Sequence, residues 1–166
     1  MLKLVGFDAD DTLWHSEGYF RAVHGEFERI LGHYLDLGNA RVHERLLDVE
    51  RVNIKLFGYG VKGMILSMLE TAISLSAERI SAKHLHEIIT LGKDVLDHPV
   101  ELIAGITEAV AEVAKDYQVV LITKGDLFHQ ESKVARSGLS PLFGRIEIVS
   151  EKDPATYLRV LSEFGL

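Results

Sequence analysis

Several features that would assign this chain to a functional class at once are missing from it. It contains no cysteine, so disulfides and thiolate chemistry are excluded, and the composition fits a reducing compartment. No apolar run approaches the roughly eighteen residues that a membrane span needs. The first residues carry one lysine and reach acids by position 8, which is unlike a secretory signal. We therefore expect a cytoplasmic location.

Positive charge is also scarce. Eighteen lysines and arginines stand against 25 aspartates and glutamates, which gives a net charge of −7 over 166 residues. A nucleic-acid-binding protein needs a basic face, so neither nucleic acid nor membrane is an expected partner. A phosphorylated small molecule remains compatible, because a few placed cations suffice. The eight histidines lack H-E-x-x-H or similar metal spacing, and we expect them in solvated helices or loops.

What the chain does have is an apolar run that ends in acids. Residues 2–7 are apolar except for Lys3, which predicts a buried parallel strand, and Asp8, Asp10 and Asp11 follow. The carboxyl ends of such strands form the crevice where open α/β sheets bind ligands. If the chain stays extended, Asp8 and Asp10 project to the same side, where one carboxylate can attack or hold a metal while the other moves protons. The alternative is that these acids only cap a turn.

Residues 15–97 have apolar side chains at helical spacing throughout, which predicts a series of helices. The glycine-rich residues 58–60 interrupt the pattern. The expected N-caps are Ser16, Asn39 and Ser81.

After this stretch the pattern changes to helices that alternate with strands. Apolar strands are predicted over residues 118–123 and 145–150, and Asp153-Pro154 is a typical helix start. Together with the first strand, this order predicts an α/β fold with a parallel sheet and a helical insertion after the first strand.

The two later strands end in residues that suit phosphate chemistry. Thr123 can donate a hydroxyl hydrogen bond to phosphate, and Gly125 lets backbone N–H groups approach a ligand. Lys124 can reach the same ligand or lie at the surface. Lys152 precedes a helix start, where the helix dipole disfavours a cation, and this favours a functional placement. Taken singly, each of these residues also fits an ordinary strand end or helix start.

The order of these segments resembles a known family. An apolar strand followed by Asp8, Asp10 and Thr12 is similar to the first motif, hhhhDxDxT, of the haloacid dehalogenase-like (HAD) phosphohydrolase superfamily. Thr123 and Lys152 resemble its second and third motifs. The resemblance covers essentially the whole chain.

The resemblance implies a mechanism. Asp8 would be the nucleophile that forms an aspartyl-phosphate, and Asp10 would protonate the leaving oxygen and then activate water. Mg²⁺ would bind the Asp8 carboxylate and the Asp10 carbonyl oxygen. Lys152 would neutralise the nucleophile and the phosphate together. Haloacid dehalogenases resemble the first motif but lack an acid at the position of Asp10, so dehalogenation is not expected.

The resemblance also implies a domain organisation. Residues 1–14 and 98–166 would form a Rossmann-like parallel-sheet core, and residues 15–97 would form a helical C1 cap that closes over the site. From its place beside the glycine-rich break, we predict that Lys62 meets an anionic substrate, although an exposed interhelical loop explains this residue somewhat better. The expected function is a Mg²⁺-dependent phosphatase of a small phosphorylated metabolite. A phosphomutase and a non-catalytic binding or regulatory protein are the alternatives.

One part of the family pattern is missing. The fourth motif, an acidic pair that follows a further strand and completes the magnesium site, has no counterpart before Leu166. We therefore expect this sequence to be the N-terminal part of a longer protein. We also expect the bare edge of the first strand to favour association with a second copy.

Overall fold

The chain forms two compact units, which a computed structural model describes over residues 3–165. One unit combines the residues up to Ser16 with those from Pro99 onward, and the other is the continuous segment from Glu17 to His98. The strands and helices, in chain order, are β1 (Leu4–Phe7), α1 (Glu17–Leu31), α2 (Leu37–Ala40), α3 (Val42–Phe57), α4 (Val61–Leu75), α5 (Ala82–Asp97), α6 (Ile106–Asp116), β2 (Gln118–Lys124), α7 (Leu127–Ser137), β3 (Arg145–Val149) and α8 (Pro154–Glu163).

The first unit is built on a parallel sheet in the order β1-β2-β3, which confirms the predicted Rossmann-like α/β fold. Phe7 of β1 lies opposite Leu121 of β2, and Thr123 of β2 lies opposite Ile148 of β3. Because the strands are parallel, their carboxyl ends meet at one edge of the sheet. That edge is where the sequence places its acids and its phosphate-binding candidates.

Strand β2 lies between β1 and β3, and it is apolar on both faces. Val119 and Leu121 pack in one cluster with residues of α6 and α7, and Val120 packs in a second cluster with Val160 of α8. Side chains alternate between the two faces of a strand, so a continuous apolar run is what helices on both faces require.

Strand β1 differs from its prediction. It covers Leu4–Phe7 and is only partly buried, whereas the sequence predicts a buried strand over residues 2–7. Residue 2 lies outside the described residues. Within residues 3–165, β1 pairs with β2 along one of its edges and has no strand on the other, which leaves it more exposed than β2.

The second unit buries one face of each long helix in a common core. Phe27, Leu46, Met68 and Ile88 are fully buried there. A Cβ atom at Gly92 of α5 would lie 2.3 Å from the side chain of Ile65 on α4, so glycine is what lets these two helices approach. None of the helices within residues 3–165 is long and apolar enough to cross a membrane.

Two of the expected helix starts in this unit have different outcomes. The side chain of Ser81 accepts a hydrogen bond from the backbone N–H of His84 and caps α5, as predicted. The prediction for Asn39 is wrong, because it lies inside the short helix α2. Asp36 caps that helix by accepting from the Gly38 N–H, and it also accepts from the Asn39 side chain at 2.8 Å. Asp36 therefore starts α2, and the longer helix α3 begins at Val42 after Arg41, which has a left-handed φ of 45° and makes no side-chain cap hydrogen bond.

Candidate active site

The segment after β1 presents two aspartates and then turns sharply. Ala9 is fully buried between the more exposed Asp8 and Asp10, which is the alternation that an extended segment gives. Asp11 has a left-handed φ of 58°, and its carboxylate accepts a hydrogen bond from the backbone N–H of Ser16 at 2.9 Å. Asp11 is therefore the turn residue, while Asp8 carries an exposed carboxylate and Asp10 a partly buried one.

The Asp8 carboxylate is the more accessible of the two, with 45% of its side chain exposed. Its Oδ1 accepts a hydrogen bond from the ammonium of Lys152, which follows β3, and its Oδ2 accepts from the Thr12 hydroxyl at 3.3 Å. Residues 8 and 152 thus meet although 144 positions separate them. An exposed carboxylate with an adjacent cation can attack an electrophile while the cation offsets charge on the incoming group.

The Asp10 carboxylate is held by three donors. Its Oδ1 accepts from the Trp14 indole Nε1 at 2.7 Å and from Lys133 Nζ at 2.5 Å, and its Oδ2 accepts from Gln130 Nε2 at 2.9 Å. Burial raises the pKa of this carboxyl, but the charge of Lys133 and the three hydrogen bonds outweigh it, so the pKa is below its ordinary value. Asp10 is therefore a carboxylate in the ligand-free protein at neutral pH.

The end of β2 forms the neighbouring part of the site. Thr123 is buried, and Lys124 lies 3.4 Å from Glu151. Gly125 has a φ of +149°, and a Cβ atom there would lie 2.8 Å from Gln130 Nε2. That nitrogen also donates to the Lys124 carbonyl at 3.1 Å. Glycine is required at position 125 both by its backbone conformation and by the close approach of this side chain.

Sequence reasoning missed the contribution of helix α7. Gln130 and Lys133 are both buried and both contact Asp10, although polar residues on a helix favour a solvated face. The expectation that the histidines are solvated is wrong for His129, which is 7% exposed. Burial, and then the charge of Lys133, lower the pKa of His129 to about 4. Asp126 is the N-cap of α7, and its side chain accepts a hydrogen bond from the His129 N–H. His129, Gln130 and Lys133 follow Asp126 by three, four and seven positions and so share one face of the helix, and this spacing is the sequence signal that groups them.

The structure brings most of the predicted site residues to one edge of the sheet in the α/β unit. Asp8 and Lys152 are in direct contact, and Gln130 joins Asp10 to the segment that contains Thr123, Lys124 and Gly125. Lys62 lies in the first turn of α4 in the helical unit, and its role in a site stays a prediction.

The oxygen ligands available for a metal ion are few. Within residues 3–165, no group of three or more Asp, Glu or His side chains is placed to hold a metal. The Asp10 carboxylate is occupied by donors that include an ammonium, so its side chain is not a ligand. The Asp8 carboxylate and the Asp10 carbonyl are hard oxygen donors that suit Mg²⁺, an ion that commonly keeps several waters. The donor chemistry fits magnesium with these two protein ligands.

Comparisons with known proteins agree with this geometry. A family model described as haloacid dehalogenase-like hydrolase matches residues 2–166. The crystal structure of a haloacid dehalogenase-like family hydrolase from Xanthomonas campestris is 61% identical, with a TM-score of 0.92, and the match covers 99% of this chain and 70% of that one. A comparison with curated proteins gave no match.

More distant structures share the fold alone. A 2-haloacid dehalogenase from Pseudomonas syringae is 20% identical with a TM-score of 0.59, over 100% of this chain and 74% of that one. The HAD-hydrolase YfnB from Bacillus subtilis, solved with bound magnesium, is 17% identical with a TM-score of 0.57. That match covers 98% of this chain and 73% of that one. The family model matches nearly the whole chain, and the first strand of the parallel sheet is followed by Asp8 and Asp10. The chain therefore belongs to the haloacid dehalogenase-like hydrolases.

Proposed function

We propose that this protein is a Mg²⁺-dependent phosphatase that hydrolyses a small phosphorylated metabolite through an aspartyl-phosphate at Asp8. The observation that carries the proposal is the different pairing of two neighbouring carboxylates. Asp8 is accessible and lies against Lys152, whereas Asp10 is fixed by three donors that include Lys133. One carboxylate is thus available to attack, and the other is held in place to move a proton.

In the first step, a carboxylate oxygen of Asp8 bonds to phosphorus and the bond from phosphorus to the leaving oxygen breaks. Asp10 is a carboxylate before the substrate binds, so it first takes up the proton that the phosphate monoanion of the substrate carries, and it then gives this proton to the leaving oxygen. The Lys152 ammonium offsets the negative charge of the phosphoryl group as it approaches the Asp8 carboxylate. The Thr123 hydroxyl and the backbone N–H groups around Gly125 are the donors on the neighbouring strand end for the phosphoryl oxygens.

In the second step, a water molecule gives a proton to Asp10 while its oxygen bonds to phosphorus, and the bond from phosphorus to Asp8 breaks. The proton that Asp10 gave in the first step is thereby returned to it. Asp10 loses this proton when phosphate leaves, so that both aspartates are carboxylates again. Asp10 has four lone-pair sites, and the donors to Oδ1 and Oδ2 occupy three of them. The remaining site is on Oδ2, which is the atom that exchanges the proton.

Magnesium held by the Asp8 carboxylate and the Asp10 carbonyl would neutralise charge on the phosphoryl oxygens. Asp10 also favours phosphoryl transfer over dehalogenation. A halide leaves without a proton, so a reaction of that kind does not need a fixed proton carrier two residues after the nucleophile.

Trapping the covalent intermediate tests the proposal. During turnover of p-nitrophenyl phosphate with Mg²⁺, rapid acid quenching and peptide mass spectrometry should find one phosphoryl group on Asp8. Asp8→Asn should show neither the adduct nor turnover. Asp10→Asn should form the adduct but lower the rate of alkyl phosphate hydrolysis by about 10²- to 10⁴-fold, the range of general acid–base groups. Full turnover by Asp8→Asn, or an adduct on another residue, would contradict the proposal.

A further inference from the structure

We propose that Trp14, Gln130 and Lys133 are positioning residues that hold the Asp10 carboxylate in the one orientation from which it can exchange a proton. These three residues are called the Asp10 cage below. The inference rests on the proposed phosphatase function and adds to it a set of residues that lie outside the matched motifs.

The cage is built from buried side chains. Trp14 is 1% exposed, Gln130 is 3% exposed and Lys133 is 8% exposed. A buried ammonium is costly unless it is paired, and Lys133 makes its ion pair with Asp10 at 2.5 Å while its Nζ lies 5.8 Å from the centre of the Trp14 ring. Since the pair is largely removed from solvent, its geometry is far more restricted than that of a surface ion pair.

The orientation of Gln130 is fixed by its own hydrogen bonds. Its Nε2 donates one hydrogen to Asp10 Oδ2 at 2.9 Å and the other to the Lys124 carbonyl at 3.1 Å. Turning the amide over would place its oxygen against two acceptors, which is unfavourable. Its Oε1 is buried and has no hydrogen-bond partner, a cost that the two bonds on the other side of the amide must offset.

Gln130 also connects the acid to the phosphate-binding strand end. The same nitrogen that donates to Asp10 packs over Gly125 and bonds the carbonyl just before it. A displacement of that loop would therefore change the position of the Asp10 carboxylate. A misplacement of about 1 Å can cost about 100-fold in rate, so the cage matters although it does not contact the substrate.

The leaving group of the substrate gives a readout that a merely structural role would not move. We would measure kcat and KM of Lys133→Met and Gln130→Met with p-nitrophenyl phosphate, whose leaving group needs no proton, and with β-glycerophosphate, whose alkoxide does. We expect kcat to fall about 10- to 100-fold with β-glycerophosphate and much less with p-nitrophenyl phosphate, while KM changes little. Lys133→Arg should recover part of the loss, because it keeps the charge.

The matched control is Lys115→Met on α6, where an exposed lysine pairs with Glu112 one turn away. It should leave both substrates unchanged. Trp14 is the single tryptophan of the chain, so its fluorescence reports on the cage without any turnover. The emission of Lys133→Met should shift, and that of Lys115→Met should match the wild type.

Equal losses with both substrates, or no loss in Lys133→Met despite a shifted emission, would overturn the inference. Either result would leave the proposed function intact, provided that the wild type forms the adduct on Asp8. Absence of that adduct would instead count against the proposed function. A poorly folded Lys133→Met would be recognised by its circular dichroism, and the same comparison would then be made with Gln130→Met and Trp14→Phe.

Discussion

The two units of this molecule place their ion pairs differently. In the helical unit the described pairs, such as Arg29–Glu26 and Arg51–Asp48, join exposed residues three or four positions apart on one helix. The α/β unit also has local pairs such as Lys115–Glu112, but there Lys133 meets Asp10 and Lys152 meets Asp8 from more than a hundred positions away. The side chains of these two long-range pairs are less exposed than those of Arg29–Glu26 and Arg51–Asp48. Pairs of the first kind contribute little to stability, whereas those of the second kind fix the groups that the proposed chemistry needs.

The largest effect is expected when a lysine is removed that is distant in the sequence from the carboxylate it pairs with. Lys152→Met should lower kcat/KM for p-nitrophenyl phosphate by about 10²- to 10³-fold, as loss of one stabilising group does in other enzymes, because Asp8 and the phosphoryl group would lose their shared cation. Lys55→Met, an exposed lysine on α3 in the helical unit, is the control and should keep wild-type kinetics. Wild-type activity in Lys152→Met would show that this long-range pair has no catalytic role.

A second test uses pH and the stability of the α/β unit. The pKa of His129 is lowered to about 4, chiefly by burial and then by Lys133. Above pH 6.5 the histidine is neutral whether the chain is folded or unfolded. Between pH 6.5 and 4 the unfolded chain binds a proton that the folded chain does not, so stability falls as pH falls. At about 1.4 kcal/mol per pKa unit, the loss is at most about 3.5 kcal/mol.

Urea unfolding of the wild type and of His129→Gln at pH 7 and pH 5 measures this effect. The variant should lose part of the pH dependence. His86→Gln, at an exposed position on α5, should retain all of it. An unchanged pH dependence in His129→Gln would mean that other groups account for the acid sensitivity.

The smallest effect is expected from a local pair. Arg51 lies 3.0 Å from Asp48, and their side chains are 73% and 60% exposed. Arg51→Ala should change the free energy of unfolding by less than about 0.5 kcal/mol, because solvent screens an exposed pair and both side chains lose freedom on pairing. Equilibrium urea unfolding measures it, and a loss above 1 kcal/mol would erase the distinction between the two units.

The difference between local and long-range contacts also explains which parts of the structure could be predicted from the sequence. Helices and strands follow from spacing and caps within a few residues, so β2, the start of α5 after Ser81 and the start of α8 at Pro154 were predicted nearly to the residue. Thr123 and Lys152 could be expected at one edge of the sheet, because the carboxyl ends of parallel strands meet there. These inferences need only local patterns and one rule of topology.

The parts that sequence reasoning missed depend on distant packing. Nothing near Gln130 or Lys133 says that their helix face meets Asp10, about 120 positions earlier. The partial exposure of β1 likewise depends on which strands lie beside it. Asn39 is the exception, because the residue that caps α2, Asp36, lies only three positions earlier in the sequence.

The α/β unit is formed from two separate segments of the chain, and this has a consequence during synthesis. Strand β1 is synthesised early, but the register pairs Leu4 with Gln118, so its partner leaves the ribosome more than a hundred residues later. The segment from Glu17 to His98 is continuous and can complete its own core during that interval. The nascent chain thus carries an apolar strand without a partner until β2 emerges, and pairing over such a separation is slow. The α/β unit can therefore close its sheet only after the helical segment has been made.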